Sequence, residues 1–357
     1  AVGNGILQFT VGGTLSLDAG SQITMAGKGF TGGAVQMQGH STTAAGISAT
    51  AANAQSGGGS GAATNCGGGG GHLTAGTAGA CSGGGAGGAA AGSVDLSALT
   101  LGGGGGGSFN AGTLGGNGGG AIKITTTHLT NAGTITAAGV NGVTNDYASG
   151  GGAGGAIYLI VNNSLSNSGT ITTAKGVGGT GNPVSNNGGN GADGRIRMDL
   201  LSATAVTLVG TVVPSVYTTF TNGSAVTLGT GTPVSINTAT SLGSLNVTAG
   251  SSVTINSVTS VTGNSTVSGA GSVLTLNQDV TFGNNLTLAT GASITGTAWT
   301  WTSNPSTPAI GNGFLQFSVG GTLTLDGTST IKMTGKGFTG GALQWQGDYT
   351  TATGGDS

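Results

Sequence analysis

The sequence predicts an all-β protein, a parallel β-solenoid with ordered glycine-rich excursions, and three observations carry that expectation. Between Ala205 and Gly296, apolar residues return at a near-constant interval: Val206, Val226, Val247, Val267 and Leu288 follow one another at steps of 20, 21, 20 and 21 residues. Short alternating apolar and polar stretches, bounded by Gly, Asn and Ser, fill the chain, while Gly interrupts every window long enough for a helix. Finally, Gly3–Thr43 recurs without a gap, and with mostly mild substitutions, at Gly311–Thr351, 308 positions later. Repeats of about twenty residues stack as supersecondary units that share a core, and in such a coil equivalent residues lie ~4.8 Å apart along the axis.

Residues 1–55 are expected to be rungs that open the repeat. Their signature is TLSLDAGSQI at Thr14–Ile23, an apolar pair, a small-residue turn with Gly, and a further apolar residue. Residues 56–120 hold the Gly-rich excursions, including GGGGG and GGGGGG, with short strands among them. Flexible linker is the ordinary reading of such runs. Their alternation with patterned strands favours ordered glycine instead, in extended chains of polyglycine-II type that bond to one another. Dense hydrogen bonding must then offset about 1–2 kcal/mol of backbone ordering per residue.

Residues 121–204 read as 35-residue Gly-rich repeats: Ile122 and Ile157 are 35 apart, and Ile135 and Ile171 are 36 apart. HLTNAGTI and SLSNSGTI carry the turn already seen at Thr14–Ile23, and GGAVQMQ at Gly32 and GRIRMDL at Gly194 are further starts of the pattern. Residues 205–298 are the regular twenty-residue rungs, with a second apolar column expected at Val234, Val253, Val273 and Ile294. Residues 299–310 are a connector, and residues 311–357 start the next 308-residue repeat. At about twenty residues a rung, one repeat would contain about fifteen rungs and extend on the order of 70 Å.

Composition excludes several classes. Gly supplies 81 of 357 residues, and only 4% are charged, so disorder driven by charge is inconsistent with the 36% hydrophobic content. Five Pro and no glycine at every third position exclude collagen. A net charge of −2 leaves no electrostatic footprint for nucleic acid. No apolar run approaches the roughly 20 residues of a membrane helix, so membrane insertion is not expected. No basic-then-apolar leader opens at Ala1, as in a mature secreted chain or an excised fragment.

Candidate chemistry is sparse. Cys66 and Cys81 bracket a glycine-rich loop and are a candidate disulfide; the alternatives are free thiols, or a metal site with His72 that lacks an evident fourth ligand. All nine acidic residues are Asp, scattered along the chain. Asp193 and Asp199 flank Arg195 and Arg197, which reads as a surface ion pair on a strand rather than the acid/base pair of a glycosidase. No Asp recurs as in calcium-binding solenoids, so no catalytic, metal or cofactor residue is assigned. Trp299 and Trp301 would share one face of a strand, either as a seal between adjacent units or as a platform for stacking sugars.

The segments GGAGGAIYL, LSNSGTITTAKG and GGNGADGRIRM, between Gly151 and Met198, resemble the glycine-rich right-handed parallel β-helix repeats of bacterial surface proteins. Filamentous-haemagglutinin-type adhesins, autotransporter passengers and extracellular fibre proteins are similar in their Thr/Asn/Gly-rich rungs. The resemblance implies an extracellular or cell-surface location and a structural or adhesive role rather than a reaction. Together with the internal copy, the expectation is a filament subunit or tandem-repeat segment whose partner is itself, assembling head to tail. The alternatives are a stalk that binds surface glycans, an ice-binding face of Thr columns, and a polysaccharide lyase.

Overall fold

A computed structural model describes residues 5–33, 66–93, 95–108, 114–202, 205–214, 216–220, 223–229, 233–238, 241–257, 259–298, 309–310 and 313–336. These residues are nearly all β, in a parallel β-solenoid, and the helical turn among them is a 3-10 turn at Val184–Asn186. The chain divides into two compact units, residues 1–201 with 208–217, and residues 202–207 with 218–357.

In the first unit a rung is a long strand, a tight turn and a three-residue strand. Strands β1 (Ile6–Leu17) and β2 (Gln22–Thr24) make one rung, β3 (Ala121–Asn131) and β4 (Thr134–Thr136) the next, and β5 (Ala156–Asn167) and β6 (Thr170–Thr172) a third. Strands β7 (Arg195–Leu200) and β9 (Thr211–Val213) follow in this unit, while most of β8 (Ala205–Leu208) belongs to the second unit and β10 (Val216–Phe220) is divided between the two. One parallel ladder joins β1, β3, β5 and β7, and a second joins β2, β4, β6 and β9. The period-two pattern sends one column of side chains inward at each alternate position. Ile122, Ile157 and Ile196 stack in one such column, and Ile135, Ile171 and Val212 in another, all essentially without solvent contact. Asn131 and Asn167 turn inward as well and bond to each other, Nδ2 to Oδ1 at 2.6 Å, which satisfies part of their buried polarity.

Four rungs therefore occupy residues 6–200, because each rung carries an excursion: Leu7 is 115 residues from its ladder partner Ile122, and Ile157 is 39 from Ile196. The expected fifteen rungs per repeat assumed twenty residues throughout, and the glycine-rich segments break that assumption.

The described residues of those segments are bonded to one another. Gly67 N–H donates to Ala148 O at 3.1 Å and Gly70 N–H to Gly151 O at 2.9 Å, an interval of three residues that matches a threefold extended helix. The same interval recurs where Gly151 and Gly154 donate to Gly189 and Ala192, and where Gly139 and Gly142 donate to Ala174 and Val177. Residues 66–71 bond on several sides at once: their carbonyls accept from Gly88, Gly103, Gly106, Gly189 and Ala192, and Gly69 N–H donates to Thr77 O. This bonding pattern is the one expected of packed polyglycine-II chains, and the close approach of backbones explains the residue choice. A β-carbon on Gly69 would lie 1.9 Å from Asn190 O, and one on Gly154 would lie 1.8 Å from Thr173 O.

The second unit is a three-sided coil whose ladder partners lie 18 to 21 residues apart, except at the last rung, where they lie 37 apart. Its strands are β11 (Ser224–Leu228), β12 (Pro233–Thr238), β13 (Ser241–Val247), β14 (Ser252–Ile255), β15 (Thr259–Val261), β16 (Ser265–Ser268), β17 (Val273–Leu276), β18 (Val280–Phe282), β19 (Leu286–Ala289) and β20 (Ser293–Thr295). After a short pair, β21 (Ala309–Ile310) with β22 (Gly313–Phe314), come β23 (Phe317–Val319), β24 (Leu323–Leu325) and β25 (Thr330–Ile331). One side stacks β11, the end of β13, β16, β19 and β24; the second stacks β12, β14, β17, β20 and β25; the third stacks the start of β13, β15, β18 and β23. Corners need a left-handed residue, which Gly250, Gly271 and Gly291 supply with φ of 78°, 81° and 76°.

The register corrects two columns. Val247, Val267 and Leu288 do stack, but Val226 sits opposite Leu245, and the partner of Val247 is Leu228. Both Val226 and Leu228 are inward and fully buried, so alternation alone cannot distinguish them; the step is 19 residues here because the rung is shorter. Val206, in β8, is buried as well. In the second column Val253 stacks on Leu274, and Val273 faces outward against Ser293. A one-residue change in turn length flips the face of a strand, which places Val273 on the surface side and Leu274 in the core.

Candidate functional site

Three places concentrate side-chain chemistry or unpaired structure. The first is the repeated sequence. Its first copy forms β1 and β2 and pairs along the edge that faces β3 and β4. Its second copy forms β23, β24 and β25 and pairs along the edge that faces β18, β19 and β20. Leu286, Leu288 and Ile294 are fully buried, with Leu323, Leu325 and Ile331 stacked on them.

The second is the cluster around the Arg-Ile-Arg strand. Because β7 is extended, Arg195, Arg197 and Asp199 alternate with Ile196, Met198 and Leu200. Arg197 grips Asp199 through two bonds, Nε to Oδ1 at 2.8 Å and a second guanidinium nitrogen to Oδ2 at 2.9 Å. The Tyr158 hydroxyl donates to Asp199 Oδ2. Burial, then the bonded carboxylate of Asp199, pushes the Tyr158 phenol up to about 12, so it stays a donor. Lys123 and Arg197 lie over the Tyr158 ring at 5.2 and 4.9 Å, and Arg197 lies 5.6 Å from the Tyr217 ring.

Asp193 does not join this cluster; its carboxylate accepts the Lys175 N–H at 3.0 Å. Asp95 offers Arg197 its backbone carbonyl, at 2.6 Å. A single carboxylate held in a bidentate ion pair cannot act as the two opposed carboxyl groups of glycoside hydrolysis. The cluster braces neighbouring rungs and the loop that carries Asp95. Arg195 is the member that sequence reasoning misplaced. It is buried, and its guanidinium caps the carbonyls of Ala91 and Ser93 at 2.8 Å and of His72 at 3.3 Å.

The third place is the loop closed by Cys66 and Cys81, whose sulfurs are bonded. Nearby His72 is fully buried, with Nε2 2.8 Å from Thr100 Oγ1 and Nδ1 without a partner. Its pKa falls to about 4, first because burial disfavours the imidazolium and then because Arg195 repels it. His72 is therefore a neutral packing residue, not a ligand beside the cysteines. Among the described residues no three His, Cys or Asp side chains come together in a group able to hold a metal ion. Trp299 and Trp301 lie outside the described residues.

No protein-family model matches this chain, no curated protein is similar to it, and no solved structure matches it.

Proposed function

We propose that the protein is a structural subunit, or one tandem-repeat segment, of an extracellular filament that grows head to tail by stacking of solenoid rungs. One observation carries this reading. The second copy of the repeated sequence folds as the next rung on the regular coil, in register with it: Phe317 opposite Val280, Leu323 opposite Leu286 and Thr330 opposite Ser293. The beginning of one repeat is thus already a continuation of the end of another. A head-to-tail contact between identical units is heterologous and propagates without closing.

The bonded cysteines support an oxidising, extracellular setting. Low charge and dense backbone bonding support a mechanical rather than a chemical role. Electron microscopy of the purified protein, with X-ray diffraction from aligned samples, tests the reading. Unbranched filaments with a meridional reflection near ~4.8 Å are expected; compact monomers at all concentrations would overturn it.

A further inference from the structure

The two copies of the repeated sequence are paired on opposite edges, and these edges fit on a single rung. Numbering the second copy back by 308 makes Phe317, Ser318 and Val319 equivalent to Phe9, Thr10 and Val11, Leu323 to Leu15, Leu325 to Leu17 and Ile331 to Ile23. The Phe9 position then has Ile124 on one side and Val280 on the other, the Leu15 position has Leu129 and Leu286, and the Ile23 position has Ile135 and Ile294. Two inward positions have a polar neighbour on one side. Val11 meets the buried Thr126 and its equivalent Val319 meets Phe282; Leu17 meets Asn131, where the buried Asn pair begins, and its equivalent Leu325 meets Leu288.

The backbone bonds at the two edges also use different groups. Toward β3 and β4 the first copy accepts through Leu17 O from Ala132 N–H at 2.8 Å, through Ser21 O from Thr134 N–H at 2.9 Å, and through Gly12 O and Gly13 O from the hydroxyls of Thr127 and Thr126 at 3.0 Å, and it donates Met25 N–H to Thr136 O at 2.8 Å. Toward β18–β20 the second copy donates Gly320 N–H to Phe282 O at 2.7 Å, Asp326 N–H to Leu288 O at 3.1 Å and Thr330 N–H to Ala292 O at 3.0 Å, and Thr322 O accepts from Leu286 N–H at 3.0 Å. In one numbering the first set uses the N–H of position 25 and the carbonyls of positions 12, 13, 17 and 21, and the second uses the N–H groups of positions 12, 18 and 22 and the carbonyl of position 14. Among these bonds no group is used twice, as one rung making both sets requires. The Gly-Gly pair also adapts one corner to the other: the β1–β3 register shifts between Val11 and Thr14, whereas Val319 and Leu323 keep the four-residue step of Phe282 and Leu286.

We infer that the two copies are interchangeable forms of one shared rung, and that the edge of β23–β25 facing away from β18–β20 takes β3 and β4 of a second copy of this chain, in the register that β1 and β2 use. The exchanged contacts are nearly those they replace, which makes the swap close to neutral. This joint rests on the filament reading and gives it a residue-level register.

Mixing single-cysteine variants of the full chain tests it. Ser318 and Thr10 point outward, and Ser318 Oγ already reaches Thr281 Oγ1 of the adjacent rung at 3.1 Å, so outward pairs on neighbouring rungs are close enough for a disulfide. Ser318→Cys mixed with Thr125→Cys under mild oxidation is expected to give a linked dimer on a non-reducing gel. Adding Leu15→Asp to the Thr125→Cys partner weakens its own first copy and should raise the yield severalfold. A dimer formed instead from Ser318→Cys and Thr10→Cys, suppressed by Leu15→Asp, would mean that the copies stack as separate rungs, and would overturn the shared joint. Electron micrographs of the same samples separate the two readings: filaments without the 318–125 link reject the joint alone, links without filaments reject the filament alone, and neither rejects both.

Discussion

Replacing Gly69 by Ala is the most direct perturbation of the glycine lattice. The new β-carbon would sit 1.9 Å from Asn190 O and 2.2 Å from Asn190 C, against backbone that has no side-chain rotamer to yield. Normal contact requires the two segments to part by more than an ångström. Overpacking of this kind costs about 1–3 kcal/mol. Parting also strains the bonds at this residue, Gly69 N–H to Thr77 O at 2.9 Å and Gly88 N–H to Gly69 O at 2.8 Å. Each buried group left unpaired adds about 1–3 kcal/mol, while the stiffer unfolded chain returns only about 0.4–1 kcal/mol. The expected destabilisation is roughly 3–6 kcal/mol. Gly12→Ala is the matched control, because its β-carbon would meet nothing within 4 Å; it should be neutral to slightly stabilising. Hydrogen exchange at residues 66–71 and 188–192, with denaturant unfolding of the first unit, measures both. If Gly69→Ala behaved like Gly12→Ala to within about 0.5 kcal/mol, the close-packed lattice would be wrong.

Three further outcomes follow from the same structure. Leu274→Ala should cost about 2–5 kcal/mol of stability and Val273→Ala well under half of that, since only Leu274 faces the core; urea titration of the two variants checks the corrected register. Replacing both Cys66 and Cys81 by Ser should cost about 3 kcal/mol, the loop-closure value for a bridge spanning 15 residues, read as a loss of thermal stability that reducing agent reproduces in the native protein. His72 is neutral when folded, with a pKa near 4 against 6.5 when unfolded, so the unfolded chain binds the extra proton as pH falls through that window. Stability should be level above pH 6.5 and fall by on the order of 3 kcal/mol by pH 4. In a His72→Gln variant, melts across this range should lose that part of the slope.

Much of the architecture was legible because stacking imposes a period. Ile122 with Ile157 and Ile135 with Ile171 stand in register as spaced, since each long strand is followed by a turn of the same length, NAGT in one and NSGT in the other. The column through Val226 slipped by two residues because both candidates are buried and alternate on the same face, and Val273 was misread because one residue in a corner decides which side a strand presents. The glycine runs announced order through their alternation with strands. Which segment contacts which was not legible, since glycine carries no side-chain pattern to set a register. Arg195 read as a surface charge because its partners are the carbonyls of Ala91, Ser93 and His72, more than a hundred residues away, and backbone acceptors leave no trace in sequence. The Asn131–Asn167 pair did leave one, as the same letter at the same place in HLTNAGTI and SLSNSGTI.

A β-ladder resists force well along one direction and slides more easily across it, because its bonds all lie in the plane of the sheet. Residues 66–71 are tied to glycine-rich segments on several sides, so tension applied to one passes sideways into all its neighbours at once. A thread containing such bundles would tear only by breaking many short bonds together, and its toughness would not depend on the direction of bending.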